Sequence, residues 1–106
     1  MILNQPAAFE GYGLRAVVLV NFSTMRTGLA FDNACIVEPG EHPFVRVRSH
    51  VYYRGARIEQ ARHIEECVAS GVYRLHQPVS QNLLARIKAG VQVSRMVARE
   101  IRGLQF

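Results

Sequence analysis

Several features that would place a chain quickly are missing from this one. Only one of its thirteen basic residues, Lys88, is a lysine. Its two cysteines, Cys35 and Cys67, form no CxxC or related spacing. That argues against a thiol redox motif or a cysteine metal cage and predicts two reduced, buried thiols. No HxH or HExxH pattern is present, so the sequence motifs of common metalloenzymes are absent too. The longest apolar run, Ala16 to Val20, is too short to span a bilayer. No basic segment followed by a long apolar stretch opens the sequence, and the expectation is a cytoplasmic protein.

What is present is ordinary for a folded domain. The 106 residues are 49% hydrophobic and 20% charged, which suits one domain over residues 1–106 and argues against disorder. The formal charge is +5, carried by arginine. Arginine matches phosphate or carboxylate in planar, two-pronged contacts, so the balance fits RNA or an acidic protein partner. Genome composition is an equally simple source of the same arginine usage.

Periodicity divides the chain. Residues 1–13 form a lead-in segment with Pro6, Gly11 and Gly13, and a short strand at Ile2–Leu3. Leu14 to Phe22 reads as a buried strand, and Ser23-Thr24 end it. Residues 25–33 form a loop and Ala34 to Val37 a second strand, broken by Glu38-Pro39-Gly40-Glu41. Phe44 to Arg48 alternates apolar with basic, which predicts a half-exposed strand that Ser49 to Ile58 continues, with a bend or bulge at Gly55. From Gln60 to Ser70 the period becomes helical, with Ala61, Ile64, Cys67 and Val68 on one face and Gly71 closing the helix. Val72 to Leu75 reads as a short strand. Ser80 caps a helix that ends at Gly90, and Ser94 caps a basic amphipathic helix over Arg95–Arg102 within the C-terminal segment 94–106. Strands first and helices afterwards predict an α+β domain, a small antiparallel barrel or partial barrel with two or three helices in its second half.

Four groups of side chains could carry chemistry. Glu38, Glu41, His42 and His50, with Cys35 as a further candidate, are possible metal ligands, but their spacing favours a turn, and no metal is expected. Ser23 and Thr24 stand at a strand end, where hydroxyls reach a phosphate or simply bond the local backbone. Arg26, Arg46 or Arg48 would neutralise that phosphate, and His42 or His50 would move protons near neutral pH. Arg46 and Arg48 share the outward side of their strand, and Tyr52 or Tyr53 would supply a ring for an unpaired base. Arg95, Arg99 and Arg102 would form one stripe along the last helix, as a docking surface or a solvated face.

The segments SHVYYRGARIEQ and VSQNLLARIKAGV, with a helix and Gly71 between them, resemble the C-terminal half of the MazF/PemK growth-inhibitor superfamily. Ser49, Val51, Arg57, Ile58, Val79, Ser80, Leu84 and Ile87 match in type and order. Upstream, VVLVNFST resembles that superfamily's strand ending in Ile-Thr-Ser. PGEHPFVRVRSHVYYRGARI is similar to small bacterial proteins with a Gly-Asp/Glu-His-Pro-Phe-Ile/Val signature. The resemblance implies an SH3-like, PemK-like barrel, a homodimer, metal-independent and cofactor-free cleavage of single-stranded RNA, and an inhibitory, antitoxin-like partner. It places Ser23 and Thr24 at the strand-end hydroxyl position and Arg57 in the arginine-bearing turn. The superfamily's N-terminal catalytic arginine motif has no match here.

The reading is therefore a toxin-like RNA-interacting protein and candidate endoribonuclease. Its catalytic residues would be Ser23, Thr24, Arg26, His42 and His50; Arg46, Arg48, Tyr53 and Arg57 would bind nucleic acid. The alternative is a bacterial or phage interaction module that keeps the barrel without the chemistry.

Overall fold

β-Branched residues with no turn formers among them favour extended chain, and the run from Ala16 to Val20 lies within the first of two twelve-residue strands. The computed structural model describes residues 1–28 and 30–104. Leu29, in the expected 25–33 loop, and residues 105–106, in the expected C-terminal segment, lie outside them. The strands are β1 (Ala7–Phe9), β2 (Gly13–Thr24), β3 (Ile36–Val37) and β4 (Ser49–Gln60). They form one antiparallel sheet in the order β1-β2-β4-β3, and it does not close. Helices α1 (Ala61–Ala69), α2 (Gln81–Val93) and α3 (Arg99–Arg102) follow, giving the expected α+β arrangement. No described helix is long and apolar enough to cross a membrane.

The lead-in segment belongs to the sheet. Leu3 N–H donates to Val18 O and Val20 N–H to Met1 O, both at 2.9 Å, and Ile2 bridges Leu19. Asn4 Oδ1 accepts from Val18 N–H at 2.8 Å, filling one more place on the β2 edge. Residues Met1 to Asn4 thus extend the β1 side along β2 and bury Leu3 in the core.

β2 and β4 pair in two registers. Val18 lies opposite Ile58 and Leu19 opposite Arg57, but Asn21 lies opposite Tyr52. The residues from Tyr53 to Ala56 therefore face Val20 alone, a bulge around Gly55 where one was expected. It also changes which side chains point inward. Val51 and Tyr53 pack on the core before it, Ala56 and Ile58 after it.

Leu83, Ile87 and Val91 of α2 are fully buried in the same core as Val18, Val20, Val51 and Tyr53. Side chains of this size contribute about 1.5–3 kcal/mol each when fully buried. The α2 N-terminus is as expected: Leu83 N–H donates to Ser80 Oγ at 3.1 Å. At α1, Gly71 takes the left-handed conformation (φ +80°) just past the Ser70 cap. Of the two thiols, Cys35 is buried and Cys67 only half-buried.

Four expectations need correction. Phe44–Arg48 is a turn and irregular chain: Val45 N–H donates to His42 O at 2.9 Å, and Gly40 N–H to Val45 O at 3.3 Å. With Gly40 at φ +91° the chain folds back, so Val45 is buried while Val47 is 51% exposed. Arg46 and Arg48 consequently do not share a strand face. Val72–Leu75 pairs with no strand, and both residues stand in solvent. Gly90 does not end α2, because the helix needs a residue without Cβ there against the Tyr53 ring.

The helix expected over Arg95–Arg102 is reduced to Arg99–Arg102. Ser94 closes α2 by donating its N–H to Gly90 O at 2.8 Å. Its hydroxyl accepts from Met96 N–H at 3.0 Å and donates to the Asp32 carboxylate. These bonds turn the chain through residues 95–98, so Arg95 does not join Arg99 and Arg102 on one helix.

Candidate functional site

The strand-end group assembles in part. Ser23 lies opposite His50 and Thr24 opposite Ser49, with Arg26 exposed two residues farther along. His50 is buried, its ring tilted 42° against Phe31 with centroids 5.8 Å apart. The Ser49 hydroxyl donates to Val47 O at 2.9 Å. Arg48 turns its guanidinium to Glu38, Nε to Oε1 2.8 Å, which occupies the charge expected to meet a phosphate. The end of β2 therefore offers two hydroxyls and the exposed charge of Arg26.

His42 is not part of that group. It is buried in the 38–45 turn, and both ring nitrogens are engaged. Nδ1 accepts from Phe44 N–H at 3.1 Å, which leaves Nε2 to carry the proton that bonds Gln77 O at 2.6 Å. A ring with both nitrogens committed holds two segments together and has no free lone pair for a substrate proton. Glu41, in the same turn, is clamped by both prongs of the Arg86 guanidinium, and its Oε2 accepts Glu38 N–H at 2.7 Å. The Arg86 bond first, and the backbone bond second, hold the Glu41 carboxyl below its ordinary pKa. Arg86 also donates to Ile36 O at 2.6 Å, tying α2 to β3.

Beside this turn runs a groove of about 820 Å³, within the range of ~300–1,000 Å³ usual for ligand clefts. Its floor includes Leu19, Asn21 and Phe22 of β2, leading into Ser23 and Thr24. One wall carries His42 and Phe44, and the other is the chain from Val72 to Val79. The Phe44 and His76 rings touch, with centroids 5.2 Å apart and planes tilted by 54°, and Phe44 is 59% exposed. A smaller recess of about 330 Å³ continues the groove past Pro43 to Arg46.

Three arginines mark this surface. Arg57 and Arg74 line the groove and Arg46 its extension. Arg57 donates to the Tyr73 hydroxyl at 3.1 Å, holding that ring at the wall, and its Nε meets Glu59 at 3.2 Å. Among the described residues no aspartate or glutamate lines either space. Glu59 offsets part of the Arg57 charge, so Arg74 and Arg46 contribute most of the field that would draw an anionic ligand.

Arg46 and Arg57, expected from the sequence, thus line adjoining spaces, and Arg48 is drawn away to Glu38. Tyr53 requires correction as a stacking ring. It is fully buried, and its hydroxyl donates to Ile87 O at 2.7 Å. Burial pushes its phenol pKa far up, so it remains a neutral donor. Sequence reasoning missed Phe44, Tyr73, Arg74 and His76 as groove residues. The signal was the interleaving of Tyr, Arg and His from Tyr73 to His76, which a strand assignment absorbed.

No protein-family model, curated protein or solved structure matches the chain. The functional reading therefore rests on the groove and on the likeness carried by the quoted motifs.

Proposed function

We propose that this chain is a toxin-like RNA-interacting protein that holds single-stranded RNA in the Phe44–His76 groove, on a partial SH3-like, PemK-like barrel. The observation that carries the reading is the groove's lining. Aromatic rings at Phe44, Tyr73 and His76 lie among Arg46, Arg57 and Arg74, with no carboxylate in the described lining. Unpaired bases stack on such rings while the arginines meet the phosphates. Duplex bases are already stacked on one another, so the groove selects single strands.

Cleavage in this reading would need no metal. A ribose 2′-hydroxyl attacks the adjacent phosphorus while a base takes its proton, and an arginine carries the charge that develops on the phosphate oxygens. The P–O5′ bond breaks, and the departing 5′-oxygen takes a proton from the protonated base or from water, leaving a 2′,3′-cyclic phosphate. His76 is the imidazole suited to the proton, because among the described residues it has a ring neighbour in Phe44 but no hydrogen-bond partner. Ser23 and Thr24, beyond the groove floor, would position the phosphate, with Arg26 beside them.

The test is fluorescence anisotropy with labelled single-stranded RNA, its duplex and single-stranded DNA, followed by incubation of each in EDTA. Tight, salt-sensitive binding of the single strand is expected, with cleavage resistant to EDTA. Folded protein that neither binds nor cuts RNA overturns the proposal. The second reading, a non-catalytic interaction module, draws support from Val72 and Leu75, 70% and 81% exposed along the groove wall. An acidic partner segment with apolar side chains would cover them. A stoichiometric protein partner recovered by pull-down, together with failure to bind RNA, would establish that reading in place of the first.

A further inference from the structure

Away from the groove lining, helix α1 presents a pair of side chains that the proposed function does not use. His63 and Cys67 are one helical turn apart, and Cys67 Sγ lies 3.6 Å from His63 Nε2. His63 is exposed and Cys67 half-buried, and Cys67 forms no disulfide. Among the described residues no third histidine, cysteine, aspartate or glutamate joins them.

The separation is that of two ligands on one ion. Zinc–sulfur and zinc–nitrogen bonds of about 2.3 and 2.0–2.1 Å, set at a tetrahedral angle, place their donor atoms about 3.6 Å apart. One helical turn brings the two side chains within reach of a weak hydrogen bond at that spacing, and an ion would take the place of its proton. Thiolate and imidazole together favour zinc over magnesium or calcium, which take oxygen ligands.

We propose that His63 and Cys67 form half of a zinc site that a second copy of this chain completes. A two-fold axis through the ion, between antiparallel copies of α1, brings the same two atoms of the second copy to its far side. Four ligands, two sulfur and two nitrogen, then close a tetrahedron. The outward side of α1 carries both signs, in Arg62, Glu65 and Glu66, so two copies meet there without single-sign repulsion. Binding releases the thiol proton to solvent, and the neutral imidazole coordinates through Nε2. This inference is independent of the RNA reading, because neither residue lines the groove.

The test uses the reduced full chain titrated with cobalt(II) as a spectroscopic stand-in, then with zinc, in parallel with analytical ultracentrifugation. Expected are the intense visible bands of tetrahedral, thiolate-bound cobalt, their loss on adding zinc, and a metal-dependent dimer with one ion per two chains. His63→Ala and Cys67→Ser should each lose both the bands and the dimer while keeping the wild-type far-ultraviolet circular dichroism. Octahedral cobalt spectra, bands that survive in Cys67→Ser, or a metal complex that stays monomeric would each overturn the proposal.

Discussion

The Tyr53 hydroxyl donates to the main-chain oxygen of Ile87 at 2.7 Å, joining β4 to the middle of α2 inside the core. Its ring lies where a Cβ on Gly90 would stand, 2.7 Å from Cζ and closer still to the hydroxyl. The sheet and helix therefore meet through one phenol and one missing methyl.

That contact predicts opposed effects at one helical position. An alanine at an interior helix site is ordinarily better than glycine by about 1 kcal/mol. Here Gly90→Ala should destabilise by roughly 1–3 kcal/mol through overpacking. Tyr53→Phe alone should cost about 0.5–1.5 kcal/mol for the lost hydrogen bond. The double variant should lose less than the sum, because removing the hydroxyl frees part of the space. Urea unfolding of the four proteins measures this, and strict additivity would refute the contact.

The histidines should separate by role. His42→Ala should lower stability by about 1–3 kcal/mol, since Gln77 O and Phe44 N–H lose their partner. His76→Ala should leave the thermal midpoint unchanged and reduce RNA cleavage. Thermal melts and a cleavage assay, normalised to folded protein, read the two effects. A His42→Ala protein that stays stable yet loses cleavage would restore the catalytic role first expected for His42.

The groove arginines should appear in the salt dependence. For single strands each neutralised phosphate contributes about 0.7 to the slope of log affinity against log salt. Replacing Arg46, Arg57 or Arg74 with alanine should each reduce that slope by roughly this amount. Phe44→Ala should weaken binding by about 1–3 kcal/mol, the usual worth of a stacked base, and leave the slope unchanged. Anisotropy titrations across a salt series distinguish the two behaviours.

Glu41 gives a pH prediction with a fixed sign. Its carboxyl is held below the ordinary value of 4.5 in the folded protein, chiefly by Arg86. The stabilisation is therefore full above that value and disappears as pH falls through the folded one. With side chains 29% and 41% exposed, solvent screening limits the pair to about 1 kcal/mol or less. Glu41→Gln should be less stable than wild type at pH 7 and equal to it once acid has protonated Glu41. Denaturant midpoints at several pH values test the convergence.

Where local pattern and packing agree, the sequence was legible. The expected strand at Leu14–Phe22 lies within β2, Ser49–Ile58 opens β4, and the Ser80 cap is in place. The misses arise where a distant contact overrides the local period. Phe44–Arg48 alternates like a strand, but the turn bonds of Gly40 and Val45 claim it. Ser94 resembles a start signal, and the bond to Asp32 across the fold makes it a stop. The two adjacent tyrosines show the limit most clearly. The bulge after Tyr53 shifts the phase of β4, so an alternation read from Ile58 would bury Tyr52 and expose Tyr53, the reverse of what occurs. Ser23, Thr24 and His50 could be placed together from their strands. The groove could not, because its far wall, Val72 to Val79, has no period to reveal where it lies.

The bond from His42 to Gln77 runs from one wall of the groove to the other, beside the touching rings of Phe44 and His76. A residue whose type suggested proton transfer thus works as a clasp. It holds the two rings against each other, 5.2 Å apart and tilted by 54°, which leaves no slot between them for a flat group. A base that stacks on either ring must therefore use its outer face, and one that enters between them must first part the turn from the 72–79 segment.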